Sequence, residues 1–498
     1  MLARCRPRRA WLLALAVCVI ASLVRLLWPG DTQWINDEPL FLAKAAAINA
    51  GHGSIGSGLQ GNVGLTYGPV AVWIFAALLR VSHDLLHVVM LRTLLWCIAT
   101  SAALLWLARL APRLHPLSLC LVWLSPYAWL YSRHLWDNTW LMPLGGLALA
   151  AYVAFQRAPA RWSFALAGLA LALALLIHPM VAPLALALIG HALCVHRTWL
   201  RTHWKTVTGL ALVCLLLAAP WLNFLLQQLL SASPPAPLPP PLLTPPPDAP
   251  VPFWSSLVFA FLGGCHLSAQ GIEYFVDPGW NNGLPWVAWA QRLSNLAHGL
   301  VWLGLAISIR DLRAGWSRWR QQGAEYHLML LCVTAFAAQW LMHAILRRHT
   351  HPHYFNGAWI CYVYFVGVAL SHGASALWTP RVRALTAVTL AASLMAVTAA
   401  MMERLHVRGG TQGIHFGATL QNQIEVARTL GRYHPDSRLH IDVKNYLMFP
   451  HALPLLRSLT GTLGDPQGPR RTLQLRYRDG QDGQGWLTVE EAATEPAS

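Results

Sequence analysis

Long apolar runs alternate with short polar connectors from residue 10 to about residue 401. An apolar run of about 17–25 residues is the length an α-helix needs to cross the hydrocarbon core of a bilayer. The pattern predicts spans over about 10–28, 88–108, 117–132, 140–156 and 162–178, then a sixth that ends at Arg197. Further spans are predicted over about 206–229, 293–309 and 327–346, a tenth that ends near 373, and a last one over 384–401. The stretch Val70 to Val81 is equally apolar but only about a dozen residues long, and His83-Asp84 ends it. That suits a helix lying in the membrane interface.

The connectors carry the sidedness. Cys5-Arg6-Pro7-Arg8-Arg9 precedes the first span, which reads as a retained signal anchor. Arg109 and Arg113, Arg157 and Arg161, Arg197, Arg201 and Lys205, Arg310 to Arg320, and Arg381 and Arg383 fall on every second connector. The positive-inside rule puts those loops and the N-terminus in the cytoplasm. Counting 70–82 as a span would invert the bias after it, so about eleven spans fit best. The fold class expected is therefore a polytopic α-helical membrane protein, with the membrane domain over 1–401. Its first outer loop, 29–87, holds two interfacial helices, one opening at Pro39 and the other at 70–81. A Pro-rich outer loop, 230–253, cannot be helical and reads as an extended connection. Residues 253–292 are amphipathic and turn-rich, with Glu273, Asp277 and Trp280-Asn281-Asn282-Gly283. Residues 402–498 are polar, with alternating runs at 439–443 and 472–476 around a helical stretch, Ala418 to Leu430. They are expected to form a small α+β extracytoplasmic domain ending in a disordered tail.

Composition narrows the class. Hydrophobic residues make up 55% of the chain, mean hydropathy is +0.42 and there are 25 Trp, which excludes an ordinary soluble core. The formal charge of +16 comes almost wholly from Arg, since Lys44, Lys205 and Lys444 are the only lysines. Topology explains that charge better than a nucleic-acid partner, so none is expected, while membrane lipids are. The nine cysteines lie mostly within apolar runs with no close pair, which gives neither a disulfide framework nor a zinc site.

Candidate chemistry centres on Trp34-Ile-Asn-Asp-Glu38. Asp37 and Glu38 are adjacent carboxylates beside a bilayer, where uncompensated charge is costly. Capping of the helix at Pro39 is the simple explanation. The same topology, however, gathers Tyr67, Arg133, His134, Asp137, His178, Arg347, Arg348, His349, His351, His353 and Tyr354 on the outer surface, as a polar cavity would require. Each has a structural alternative. Arg133 and Asp137 are four apart and can pair on a helix; His178-Pro179 can be a helix end; Arg347 and Arg348 can bind lipid headgroups. The His349-His351-His353 spacing suits a divalent metal, though Pro352 and the lack of a nearby Cys or carboxylate argue against it.

In this order and sidedness the residues resemble the GT-C glycosyltransferases that use a polyprenyl-phosphate-linked sugar, near the protein O-mannosyltransferase and lipid A aminoarabinose transferase group. The resemblance rests on Asp37-Glu38 after the first span, Tyr67-Gly68-Pro69 before the second interfacial helix, Arg133 with Asp137, and His353-Tyr354. It covers about residues 10–230 and the end of span nine. It implies sugar transfer from that donor to a hydroxyl of a lipid, glycan or protein acceptor at the outer face of a bacterial inner membrane. It further implies Asp37 as general base beside Glu38, inversion at the sugar carbon, and no nucleotide sugar at the site. Tyr67, Arg133, Asp137, His178, Arg347, Arg348, His353 and Tyr354 are then the substrate-binding candidates. Many relatives have Lys-Pro-Pro where this chain has Tyr67-Gly68-Pro69, so the cation holding the phosphate is sought among Arg347, Arg348, His353 and Arg133. The residues single out no cofactor, and a divalent metal stays open. A transporter or flippase of lipid-linked sugars is the alternative; it would need charges along the spans, whereas these sit at span ends. An assembly protein would not need so many spans.

Sidedness is testable directly. Reporter fusions at about residues 60 and 450 should both behave as exported; a cytoplasmic signal from either contradicts the topology.

Overall fold

The computed structural model describes residues 8–35, 37–61, 66–112, 114–230, 252–263, 267–268, 284–347, 351–372, 378–410, 416–442, 452–479 and 485–491. The Pro-rich tract, Asn36, Glu273, Asp277, residues 280–283, Arg348, His349 and the C-terminal tail lie outside these.

A helix stands at each of the eleven expected spans. In chain order the helices around them are α1 (Arg8–Leu26), α2 (Asp37–Asn49), α3 (Val70–Val81), α4 (Leu85–Leu110), α5 (Pro116–Cys120), α6 (Pro126–Arg133), α7 (Leu141–Arg157), α8 (Arg161–Ile177), α9 (Ala182–Val195), α10 (Arg197–Thr202) and α11 (Trp204–Leu230). There follow α12 (Phe253–Gly263), α13 (Pro285–Ser294), α14 (Leu296–Gly315), α15 (Ala324–Leu346), α16 (Trp359–Ser371), α17 (Pro380–Arg408), α18 (Leu420–Leu430) and α19 (Ala452–Leu459). Seven stretches are long and apolar enough to cross a membrane on length and composition alone, those of α1, α4, α7, α11, α15, α16 and α17. The rest are short or broken.

Burial sorts these helices by position. Around α16 and α7, 89% and 83% of residues are buried, so these two form the centre, while α11 has no fully buried residue and packs at the edge against α8, with Trp221 Nε1 donating to Thr66 O at 3.1 Å. On α1 only Ala10, Ala14, Cys18, Ala21 and Arg25 are buried. Their spacing of three and four residues is one helical stripe, and its small side chains let the helix lie close to its neighbours. The twelve residues of α3 are too few to cross, and it lies between α2 and α4 with Val72, Phe75 and Leu79 turned inward.

The third span is broken. Pro126 lacks a backbone N–H, and the chain passes from α5 through a 3-10 turn, Leu121–Leu124, to α6, with Ser125 capping α6 through a hydrogen bond from Tyr127 N at 3.2 Å. In hydrocarbon every carbonyl freed by such a break needs a donor. Three buried arginines help meet that need. Arg25 donates to Trp123 O at 2.5 Å, and Arg92 donates to Tyr131 O, Ser132 O and Thr139 Oγ1. Arg133 donates to the backbone after α1. Each guanidinium also lies over a tryptophan: Arg25 over Trp123 at 4.6 Å, Arg92 over Trp140 at 5.2 Å and Arg133 over Trp129 at 4.4 Å.

Beyond α17 comes a small α+β unit. Strands β1 (Arg438–Asp442), β2 (Thr472–Asp479) and β3 (Gly485–Glu491) form a sheet in that order. β1 and β2 are parallel with Leu439 opposite Leu473, and α19 lies in the crossover that a parallel pair requires; β2 and β3 are antiparallel. α18 buries Leu420, Ile424, Ala427 and Leu430, the i, i+4, i+7 face expected of an amphipathic helix.

Arg92 bonds to the Tyr131 and Ser132 carbonyls of α6 and to Thr139. Arg92→Met should lower stability by well over ~2 kcal/mol, because it strips charged donors from several buried oxygens at once. Thermal unfolding of the purified protein in lipid nanodiscs would show it, and an unchanged midpoint would mean that the carbonyls find other donors.

Candidate active site

Asp37 opens α2 and is half-buried, whereas Glu38 beside it is fully buried. Glu38 Oε2 accepts the backbone N–H of Ile35 at 3.3 Å. The second carboxylate therefore holds the start of the helix, and the first does not share that bond.

The approach to Asp37 is gripped by the C-terminal unit. Leu420 N donates to Thr32 O at 2.9 Å, Gln421 N to Gly30 O at 3.0 Å and Gln423 Nε2 to Trp34 O at 2.6 Å. Trp34 Nε1 in turn donates to Ala452 O at 3.1 Å. Gln33 and Thr419 form an isolated antiparallel bridge. Asp31 and His406 pair at 3.0 Å, and the His406 ring stacks on Trp28 at 4.1 Å.

Opposite α2 stands a hairpin-like turn. Gly58 N donates to Tyr67 O and Tyr67 N to Leu59 O, both at 2.9 Å. Glycine is needed on both sides: a Cβ on Gly58 would strike Gly68 O, and one on Gly68 would strike Leu176 O at the end of α8. This close packing sets the Tyr67 ring 4.1 Å from that of His178. His178 Nδ1 accepts the N–H of Met180 at 3.2 Å, which leaves the proton of the neutral ring on Nε2. Burial lowers its pKa to about 3, so it stays neutral.

The 3-10 turn Pro352–Ala358 brings the last group. Tyr127 Oη donates to Asn356 Oδ1 at 2.6 Å and to Pro352 O at 3.2 Å, tying this turn to α6. His353 and Tyr354 have ring centroids 4.5 Å apart, and His353 also lies 5.6 Å from His351 and 5.5 Å from Trp136.

Asp37, Asp137, Tyr67 and Tyr354 are close enough to act on one another electrostatically. Burial raises the Asp37 pKa to about 6. Asp137 is raised well above the usual carboxylate range, first by burial and then by the Asp37 charge, and Asn138 N donates to its Oδ1 at 2.6 Å. The Tyr67 phenol is raised by burial and then by Asp137, Tyr354 and Asp37. Both carboxyls are thus shifted toward protonation, Asp137 by burial and by the neighbouring Asp37 charge.

Two of the cations expected here sit elsewhere. Arg133 does not pair with Asp137. It is the last residue of α6, and the chain turns to extended backbone at His134, so the four-residue spacing is not helical. Its guanidinium donates to Leu27 O at 2.7 Å, to Trp28 O, and to Asp31 O at 3.4 Å. Arg347 caps α15 in the left-handed conformation, at φ 50°, with its side chain exposed. Lys44, which stands in an alanine-rich run of the sequence, lies on α2 and donates from Nζ to Gly58 O at 2.6 Å and Ser57 Oγ at 2.8 Å. No cluster of three or more metal-ligating side chains occurs among the described residues. A cavity of about 1120 Å³ opens among Arg157, His196, Arg320 and His372, at the opposite ends of these helices and remote from Asp37.

No protein-family model and no curated protein sequence matches the chain. Among solved structures it is similar to ArnT from Cupriavidus metallidurans in the apo state, with a TM-score of 0.53 at 13% identity, over 94% of this chain and 93% of that one. It is also similar to the same enzyme bound to undecaprenyl phosphate, with a TM-score of 0.51, again at 13% identity and over 94% and 93% of the two chains. The likeness thus runs through the C-terminal unit as well as the bundle. At this identity it is a likeness of fold: the chain is a multi-pass membrane protein with a GT-C-like glycosyltransferase fold.

Proposed function

We propose that the protein transfers a sugar from a polyprenyl-phosphate donor to an acceptor hydroxyl, at the outer face of a bacterial inner membrane, with Asp37 as general base. The observation that carries this reading is the meeting of two carboxyls, Asp37 at the start of α2 and Asp137 in the turn after α6, where burial raises both and the Asp37 charge raises Asp137 further. They sit among Tyr67, His178 and Tyr354 on a GT-C-like fold, and a solved structure of that fold holds undecaprenyl phosphate.

The chemistry follows from the charge states. An acceptor hydroxyl is a poor nucleophile, and a carboxylate with a pKa near 6 can take its proton as attack begins. The acceptor oxygen bonds to the anomeric carbon, the bond from that carbon to the phosphate oxygen breaks, and the hydroxyl proton passes to Asp37. A single displacement of this kind inverts the sugar carbon. The Nε2–H of His178 is a hydrogen-bond donor for the sugar or acceptor oxygens. Glu38, turned into the helix start, keeps the base in place.

Asp37→Asn keeps size and capping ability, since Asn and Asp rank alike at a helix start, and removes the base. Turnover with a synthetic polyprenyl-phosphate sugar should fall by roughly 10²-fold or more, with thermal stability near wild type. Glu38→Gln should lose less turnover. Substantial activity in Asp37→Asn would rule out this role. The pH dependence has a definite sign: a base raised to about 6 must be ionised to act, so kcat/KM should be flat above that pH and fall as pH drops through about 6. A limb positioned near the usual carboxylate pKa would place the base elsewhere.

A further inference from the structure

We infer that Lys44, with Ser57 and the backbone of Gly58, forms the subsite for the phosphate of the lipid-linked donor. This rests on the donor class proposed above and assigns the cation within it.

The first support is an unbalanced charge. Lys44 is half-buried on α2, and its two printed hydrogen bonds go to neutral oxygens, Gly58 O at 2.6 Å and Ser57 Oγ at 2.8 Å. No carboxylate among the described residues pairs with it. An ammonium carries three donors, so these two bonds leave one for a ligand. Taking an ammonium partly out of water without an anion is unfavourable, and burial alone lowers its pKa, to about 8. A bound phosphate would supply the missing negative charge.

Position is the second support. Lys44 follows Asp37 by seven residues, two turns of the same helix, so both fall on one side of α2 about 10 Å apart along its axis. One sugar and its phosphate ester bridge that separation between a base and a cation. Gly58, which receives the Lys44 bond, also donates its N–H to Tyr67 O, and the Tyr67 phenol feels the charge of both Asp37 and Asp137. Lys44 is therefore joined to the carboxyl pair by two routes, along α2 and across the turn.

The third support is what stands elsewhere in the site. His178 and His134 are held neutral at pKa values near 3, and Arg133 is committed to the backbone of residues 27–31. A phosphate leaving group develops charge that calls for a cation already in place. Lysine serves as a point charge for phosphate, and the hydroxyl of Ser57 can add a donor when a ligand takes over the lysine.

The test is binding of undecaprenyl phosphate to the full chain in phosphatidylcholine nanodiscs. Wild type and Lys44→Arg should bind, and Lys44→Gln should bind roughly tenfold or more weakly, the loss expected for one charge-assisted hydrogen bond. Phosphatidylglycerol and inorganic phosphate should not displace the lipid. Melting temperatures measured on the same samples separate a structural role: if Lys44→Gln melts as wild type and binds equally well, Lys44 is no phosphate ligand. Equal displacement by phosphatidylglycerol would make this a general headgroup site and overturn the assignment. If wild type itself does not bind undecaprenyl phosphate, the donor class falls together with the subsite. Wild-type binding with an unaffected Lys44→Gln removes the subsite alone.

Discussion

The Asp37 end of the molecule depends on one constraint: backbone that leaves a helix in apolar surroundings must still have its N–H and C=O groups bonded. The broken third span, α5 to α6, creates a group of such carbonyls near the middle of the bundle. Side chains answer them, Arg25 donating to Trp123 O and Arg92 to Tyr131 O and Ser132 O, while Arg133 at the end of α6 meets the same need in the backbone after α1. A guanidinium suits this work because its planar fork reaches several oxygens at once and its face accepts a tryptophan. These charges have no carboxylate partners among the salt bridges of the described residues. They are held by carbonyl dipoles and aromatic rings, with the Asp31 charge adding to these at Arg133.

The break in turn shapes the site. By ending α6 at Arg133 rather than continuing the helix, the chain gains the extended turn through His134 and Trp136 that delivers Asp137 toward Asp37. Arg133 then fastens α6 to the segment after α1, and the C-terminal unit fastens that segment from the other side through Thr419, Leu420, Gln421 and Gln423. Two distant parts of the chain thus hold the few residues between Leu27 and Asp37. Such support from a second layer is what fixes a reacting group to within a fraction of an ångström.

Much of this was legible in the sequence because it follows from length and period. Helices at the expected spans, the short α3, the amphipathic α18 and the two alternating strands all appear where the pattern put them. The convergence of Asp37, Tyr67, Asp137, His178 and Tyr354 was legible only through topology, which places helix ends rather than side chains. The individual cations were not legible. The spacing of Arg133 and Asp137 implies a pair only if both lie on one helix, and the chain turns between them. Lys44 stands in an alanine-rich run and looks like a solvated helix face; its environment comes from residues 57 and 58 folding back over α2. Glu38 and Asp37 are adjacent and chemically alike, and the fold separates them by burying Glu38 and giving it the Ile35 N–H.

The electrostatics of the site follow from the same tight packing. Burial that pushes histidines toward neutrality also pushes carboxyls toward protonation, so a dry site sheds charge of both signs. Asp137 yields because Asp37 stands beside it as well. Asp37, half-exposed at the start of α2, keeps a pKa near enough to neutral to ionise. The charge on Asp37 acts on Asp137 and on Tyr67, so the two carboxyls form a coupled pair. Such a pair, with its approach fixed by bonds that Asp37 does not itself make, is more than helix capping requires.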